Sequence, residues 1–421
     1  MAETGAPAVT GPMLRATLAA GHLLQPLAGP LLRRRLARGK EDPDRWREKL
    51  GQASAARPEG PLVWLHGVGV GEVMALTGLI DALTEARPGL QVLVTSSART
   101  SAHVFARTAR ARVIHQFLPL DLPGPVRRFL DHWRPDLAVW SDQDLWPRLI
   151  VQAARRGVPQ AWVNARMNAR AVRARTRFGA AFAELYGRLA VIQAQDAASA
   201  GHIRTLAPTA EVSVTGSLKS AAPPLGCDPQ ARAALAPALA GRKVWLAASS
   251  HPQDEAVALA AQDILHRADP AWLLIVAPRD VGRGADIAKA PRRSAGALPG
   301  PGDASYIADT MGEMGLWYGL ARAALIGGSF GPVEGHNPWE AVALDCPVLH
   351  GPRTANFAPD YAALQAGDAS RTITDAADLA RALQDDLAPM AARAAQVRAR
   401  GHAGLVAARE ACLTLLDGRE P

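Results

Sequence analysis

Three stretches of this 421-residue chain combine residue types and spacings suited to chemistry. The first is His66-Gly67-Val68-Gly69-Val70-Gly71-Glu72, which follows the apolar run Leu62–Leu65. Glycine-rich loops between a strand and a helix often cradle phosphates. The dinucleotide fingerprint G-x-G-x-x-G, counted from Gly67, requires its last glycine at position 72, where a carboxylate would repel a pyrophosphate. A nicotinamide or flavin site is therefore excluded. The glycines instead let a substrate approach the backbone, with Glu72 as a candidate general base. A helix start lowers a carboxylate's pKa, so bound substrate would have to restore basicity by desolvation. The alternative is that Glu72 only complements the helix dipole.

The second stretch is Asp142-Gln143-Asp144, after a strand ending at Trp140, with Lys219 closing Thr215-Gly216-Ser217-Leu218-Lys219. Paired aspartates can hold a divalent metal. With no His or Asp partner nearby in sequence, hydrogen bonds to substrate hydroxyls are the better expectation. Lys219 is one of only five lysines in an arginine-biased chain, and a compact ammonium can follow a moving phosphate. The third stretch runs from Asp309-Thr310-Met311-Gly312-Glu313 through Gly327-Gly328-Ser329-Phe330 to Gly335-His336-Asn337-Pro338-Trp339-Glu340. Asn before Pro opens a helix cleanly, its free N–H groups suit an anion, and Glu340 can accept both hydroxyls of a ribose. Arg166, Arg170, Arg173, Arg175 and Arg177 form either a solvated helix face or a phosphate-gripping patch.

These residues need elements to position them. Short apolar runs at Leu62–Leu65, Gln91–Thr95, Val113–Phe117, Leu137–Trp140, Gln160–Val163, Leu189–Ile192 and Val212–Val214 alternate with amphipathic segments. Such alternation predicts a parallel sheet with right-handed helical crossovers. A turn-rich stretch near Ala221–Pro229 reads as a linker, and the pattern restarts at Val244–Ala247, Trp272–Ala277, Ala324–Ile326 and Pro347–Leu349. Two successive doubly wound domains are expected, with a crevice between the strands' carboxyl ends, where open α/β sheets bind ligands. The Gly-, Arg- and Pro-rich segment Gly282–Gly302 reads as a mobile loop.

The net charge of +8 and pI near 9.9 favour anionic partners. Dispersed positive charge, few aromatics and no recognition motif argue against nucleic acid. Cys227, Cys346 and Cys412 are too few and too scattered for a disulfide framework or zinc ribbon. The first twelve residues read as a disordered tail. The apolar stretch Leu18–Leu32 is too short and too interrupted to span a bilayer. With Arg33, Arg34, Arg35, Arg38 and Lys40 directly after it, it reads as an interfacial anchor on an anionic leaflet; a helix packed on its own domain is the alternative.

Taken in order, these strings resemble the 3-deoxy-D-manno-octulosonic acid (Kdo) transferases of lipopolysaccharide synthesis. The family's His-Ala-Val-Ser-Val-Gly-Glu is similar to the stretch from His66 to Glu72, and its Glu-Thr-Glu-Leu-Trp-Pro to that from Asp142 to Pro147. Its Asn-Ala-Arg-Leu matches Asn164–Met167, its Gly-Asn-Leu-Lys ends at Lys219, and its last two motifs match Asp309–Glu313 and Glu334–Glu340. The resemblance implies an α/β protein of two Rossmann-like domains, the glycosyltransferase B fold, with an N-terminal membrane-associating helix. Residues 1–50 would form the tail and membrane-associating segment, 51–220 the acceptor domain and 221–421 the nucleotide-sugar domain. It implies an inverting transferase without cofactor or metal, moving Kdo from CMP-Kdo to a lipid A precursor (lipid IVA) on the cytoplasmic face of the inner membrane. Glu72 would then be the base, with Asp142 and Lys219 as transition-state stabilisers. CMP would contact Pro278, Arg279, Met311, Gly312, Glu313, Asn337, Pro338, Trp339 and Glu340. A paralogue with another acceptor or nucleotide sugar, or an inactive lipid-binding homologue, are the alternatives. Departures from the family include Gly67 and Gly69 for Ala and Ser, aspartates for glutamates at 142 and 144, Asn168 for Ser, and Glu334 for Gly.

Overall fold

The computed structural model describes residues 10–106, 110–143, 145–221 and 223–418, with the side chains at 70–72, 74, 100, 103, 104, 106 and 400 outside that description. The chain divides into two compact units, Met1–Ala222 with Gly401–Pro421, and Pro223–Arg400.

The first unit opens with α1 (Pro12–Leu24) and, after one 3-10 turn, α2 (Ala28–Ala37). Of the twelve residues expected as a tail, 1–9 lie outside the described part; Thr10 is buried, Gly11 donates its N–H to Glu184 at 2.8 Å and Pro12 starts the helix, so these three are held. A seven-stranded, all-parallel sheet follows, ordered β3-β2-β1-β4-β5-β6-β7. Its strands are β1 (Leu62–His66), β2 (Gln91–Ser96), β3 (Val113–Phe117), β4 (Leu137–Asp142), β5 (Gln160–Ala165), β6 (Val191–Ala194) and β7 (Ser213–Val214). Between them run α3 (Val70–Ala86), α4 (Arg99–Ala106), α5 (Pro123–Trp133) and α6 (Pro147–Arg155). The central strands are buried on both faces, so they read as continuous apolar runs. Trp64, Trp133, Trp140 and Trp162 fill one face, while Leu76, Leu79, Ile80 and Leu83 of α3 cover the other.

The second unit repeats the plan with a six-stranded parallel sheet, ordered β10-β9-β8-β11-β12-β13. Its strands are β8 (Lys243–Ser250), β9 (Trp272–Pro278), β10 (Ser305–Ile307), β11 (Ala324–Ile326), β12 (Val348–His350) and β13 (Ser370–Thr372). The segment Gly282–Gly302 is tied down rather than loose. Arg283 makes a two-pronged bond to the buried Glu255, at 3.0 and 2.8 Å. Ser294 donates twice to the buried Asp309, at 2.8 and 2.7 Å.

The final helix, Ala388–Asp417, begins in the second unit, and the chain from Gly401 onward clusters with the first. The second unit thus ends at Arg400, short of the expected domain 221–421. Leu405, Ala408, Cys412 and Leu416 pack into the core beside α3. Among the described residues no helix is long and apolar enough to cross a membrane.

Candidate functional sites

In the first sheet the strand order reverses between β1 and β4, which are direct neighbours with His66 opposite Trp140. This topological switch is where open parallel sheets leave room for ligands, outside the strands' carboxyl ends. The His66–Gly69 loop and Asp142 emerge there. Glu72 lies in the first turn of α3, but its side chain is outside the described residues, as is all of Asp144. Buried His66 bonds through Nδ1 to Thr95 Oγ1 at 2.9 Å and packs edge-on against Trp140.

Asp142 and Lys219 are brought together. The Lys219 ammonium lies 4.0 Å from Asp142 Oδ2, with only 8 % and 10 % of the two side chains exposed. The pairing is built by neighbouring strand ends. Asp142 ends β4 with φ at 59°, and Asn164, near the end of β5, has φ at 49°. Both lie in the left-handed region that side chains other than glycine rarely adopt, and the strand registers slip at both places. Asn164 Oδ1 accepts the backbone N–H of Leu218 at 3.1 Å, so β5 holds the turn that carries Lys219. Its Nδ2 is buried without a hydrogen-bond partner among the described residues. Backbone strain of this kind concentrates at functional sites.

From behind, the C-terminal helix supports the same turn. A Cβ on Gly404 would stand 2.5 Å from the Thr215 carbonyl oxygen, and one on Gly401 would strike Ser220. Sequence reading missed Asn164, Gly401 and Gly404 as positioning residues. The G-x-x-G spacing in an Ala/Arg-rich helix was the available signal. The arginines after β5 are mostly exposed. Arg175 is an exception, bonded to the Met167 sulfur at 2.8 Å and lying over Phe182. Asn168 caps the helix Ala169–Thr176 by accepting from Ala171 N at 2.8 Å, a role a serine fills equally well.

The second sheet's switch point lies between β8 and β11. Gly327 is required there, since a Cβ would sit 2.4 Å from the Ser249 carbonyl oxygen. Fully buried Asp254 fastens the two strand ends by accepting N–H bonds from His251, Gly328 and Phe330 at 2.9, 2.7 and 3.1 Å. The rings of His251 and His336 stack, with their Nε2 atoms 2.9 Å apart, so one donates and the other accepts. Burial, then the neighbouring His251 and Arg279, bring His336 down to about 4.

Of the residues matched to nucleotide contact, Arg279 and the turn leading to Glu340 meet here, while Met311–Glu313 follow the edge strand β10. Pro278 ends β9, and the exposed Arg279 bonds its N–H to the Ser250 carbonyl at 3.0 Å. Met311 is 57 % exposed, and Gly312 has φ at 89°, so both present open surface. Glu313 is held by Arg293, with the shortest contact at 2.7 Å, and by Thr310; the Arg293 guanidinium keeps its carboxyl below the usual range. Pro338 precedes a helix of only one turn, Trp339–Val342. The dipole at this helix start is therefore small, because too few peptide units align. Asn337 Oδ1 does accept Trp339 N–H at 3.1 Å, as a helix-opening Asn should. Trp339 points into the core, donating to Asp360 at 2.7 Å, which leaves only its backbone for a ligand. Glu340 keeps partial solvent access, yet crowding by protein lifts its carboxyl to about 7 against the opposing pull of Arg279 and Asn337.

Comparison with known proteins follows these lines. The family model described as 3-deoxy-D-manno-octulosonic-acid transferase (kdotransferase) matches residues 44–222. A probable mitochondrial 3-deoxy-D-manno-octulosonic acid transferase from Arabidopsis thaliana is 32% identical, the match covering 81% of this chain and 80% of that protein. The transferase of the same name from Bordetella pertussis is 35% identical over 73% of this chain and 76% of its own. In fold, the chain is similar to a putative UDP-N-acetylglucosamine 2-epimerase from Listeria monocytogenes, with a TM-score of 0.56 at 12% identity, covering 84% of this chain and 96% of that one. Two parallel Rossmann-like sheets of the glycosyltransferase B type are thus common to both.

Proposed function

Since this chain belongs to the 3-deoxy-D-manno-octulosonic acid (Kdo) transferase family and is a glycosyltransferase, we propose that it transfers Kdo from CMP-Kdo to a lipid A precursor, lipid IVA, with inversion. The observation that carries this reading is the buried Lys219–Asp142 pair beside the loop leading to Glu72, at the first sheet's switch point. An acceptor hydroxyl attacks the donor's anomeric carbon from the face opposite CMP, and its proton passes to Glu72. The bond from that carbon to the CMP phosphate oxygen breaks, and the electron pair leaves with CMP. Lys219 stabilises the negative charge of the departing phosphate. Asp142 fixes the ammonium and offsets positive charge growing on the sugar.

On the nucleotide side, Arg279 meets the phosphate and Glu340 accepts the ribose hydroxyls, with Asn337 and Pro338 shaping the turn that presents Glu340. Pro278, Met311, Gly312 and the Trp339 backbone line the same surface, and Glu313 acts through its hold on Arg293. A peripheral position on the cytoplasmic face of the inner membrane fits a lipid acceptor. Exposed Leu23, Leu24, Leu27 and Leu31, followed by the basic cluster from Arg33 to Lys40, support it.

Incubation with CMP-Kdo and lipid IVA, read by mass spectrometry, tests the assignment. A gain of one or more Kdo units, unchanged by chelator, is expected. Product from a different nucleotide sugar but none from CMP-Kdo would overturn it; loss with chelator restored by magnesium would overturn its metal-free part.

A further inference from the structure

Helices α1, α5 and α6 enclose a depression of about 420 Å³ lined by Arg15, Arg127, Arg148, Arg155, Arg156 and His22 together with apolar and amide groups, and by no carboxylate. Clustered guanidiniums repel one another unless an anion visits, and Asp121, which accepts the Arg148 backbone N–H at 2.9 Å, offsets only part of that charge. Arg156 is partly neutralised by Asp131 at 2.8 Å, and Arg155 reaches Thr10 at 3.2 Å. Arg15 and Arg127 have no side-chain hydrogen bond or ion pair among the described residues and are exposed. Arg148 is 5 % exposed; it donates to the Leu18 carbonyl, and its Nε is buried without a hydrogen-bond partner among the described residues. Burial lowers its pKa, so the site holds a cation at some cost.

The neighbouring face of the same helix pair is apolar and uncovered. Along α1 and α2, Leu14, Gly21, Ala28 and Leu32 form the inward stripe. Leu23, Leu24, Leu27 and Leu31 form an outward one, exposed by 81, 55, 60 and 53 %. Arg15, Leu18, Ala19 and His22 turn the flank of α1 toward the pocket. Exposed Leu23 and Leu24 thus sit on the same short helix as Arg15, one of the guanidiniums that line the pocket.

The geometry points to a binding site for the phosphomonoester headgroup of a membrane lipid, seated in this arginine pocket while the leucine stripe enters the acyl region. It rests on the membrane-surface reading above and adds the headgroup class. A phosphomonoester offers three terminal oxygens to several guanidinium forks, where a phosphodiester offers two.

Vesicle sedimentation of the full chain tests this, comparing phosphatidylcholine vesicles carrying phosphatidic acid with others matched in surface charge by phosphatidylglycerol. Wild type is expected to partition about tenfold better onto phosphatidic acid. R15K/R127K, which keeps the charge but loses the forks, is expected to lose that preference while still sedimenting. R33K/R34K, altered on the basic cluster outside the pocket, is expected to keep it. Equal behaviour of the two variants, or no wild-type preference, would overturn the headgroup site and leave membrane binding standing. Failure of wild type to sediment with either vesicle would sink the membrane reading and this site together. Displacement from phosphatidic acid vesicles by millimolar inorganic phosphate, but not by equal ionic strength of chloride, would reassign the pocket to a soluble anion.

Discussion

The two sheets share a strand order around their switch points yet surround their carboxylates in opposite ways. In the first unit Asp142 is buried but faces an ammonium at 4.0 Å, on backbone twisted to a φ of 59°. In the second, Glu340 has the Arg279 charge nearby, but crowding prevails and its carboxyl sits at about 7. In the first unit opposite charges compensate each other, whereas the desolvated carboxyl of Glu340 exchanges its proton near neutrality. A compensated pair suits a step in which a bond to phosphate breaks, and a tunable acceptor suits reversible capture of a nucleotide. Strain, by contrast, is shared. Asp142 and Asn164 are twisted at strand ends of the first unit, Ser249 is twisted at φ 50° near the end of β8, and Glu334, at φ 61°, on the rim of the nucleotide turn.

The largest effect should come from unpairing the compensated charge. Lys219→Ala is expected to lower Kdo transfer by about 10²–10³-fold and stability by about 3–5 kcal/mol, read by turnover and by chemical denaturation. Wild-type values for both would erase the contrast between the two sites. Next comes the tunable carboxyl. Because its folded pKa is raised, Glu340 retains a proton that the unfolded chain has lost between its ordinary value of 4.5 and about 7, so its contribution to stability falls as pH rises through that window. If only the carboxylate accepts ribose hydroxyls, CMP affinity should rise up to about tenfold from pH 6 to 8. Glu340→Gln should flatten that part of the profile, the residual slope belonging to the CMP phosphate; an unaltered profile would remove the tunable half of the comparison.

A smaller effect isolates positioning. Asn164→Ala leaves the Leu218 N–H unpaired and is expected to cost about 1–3 kcal/mol. Turnover should fall about tenfold, with CMP affinity unchanged, since the Lys219 turn loses its anchor. The smallest concerns the rim. Glu334→Gly should stabilise the fold by about 1 kcal/mol by relieving a left-handed residue, because its exposed 2.8 Å pair with Arg353 contributes little. A destabilised variant would show that the ion pair outweighs the twist.

Much of the fold could be read in the sequence because strands buried on both faces leave uninterrupted apolar runs. Val113–Phe117 and Ala324–Ile326 are strands with those very limits. The two missed strands, Ser305–Ile307 and Ser370–Thr372, are three-residue sheet edges, the second of them wholly polar, and both are too short for a periodic signal. Gly282–Gly302 looked loose by composition, yet it is held by long-range bonds from Arg283, Arg293 and Ser294 that no local pattern encodes. For the site, residue types at 142 and 219 were suggestive, but their meeting depends on Asn164 and on glycines almost two hundred residues beyond Lys219. Trp339 shows the reverse limit, since its motif position said nothing of a side chain turned inward to Asp360.

The central claim is that the first unit supplies the chemistry and the second holds the nucleotide. Its most direct test is Glu72→Gln, with CMP affinity by calorimetry and Kdo transfer by mass spectrometry measured on the same preparation. Affinity within twofold of wild type with transfer reduced by about 10²–10⁴-fold is expected. Retained transfer, or loss fully explained by weaker CMP binding, would contradict it.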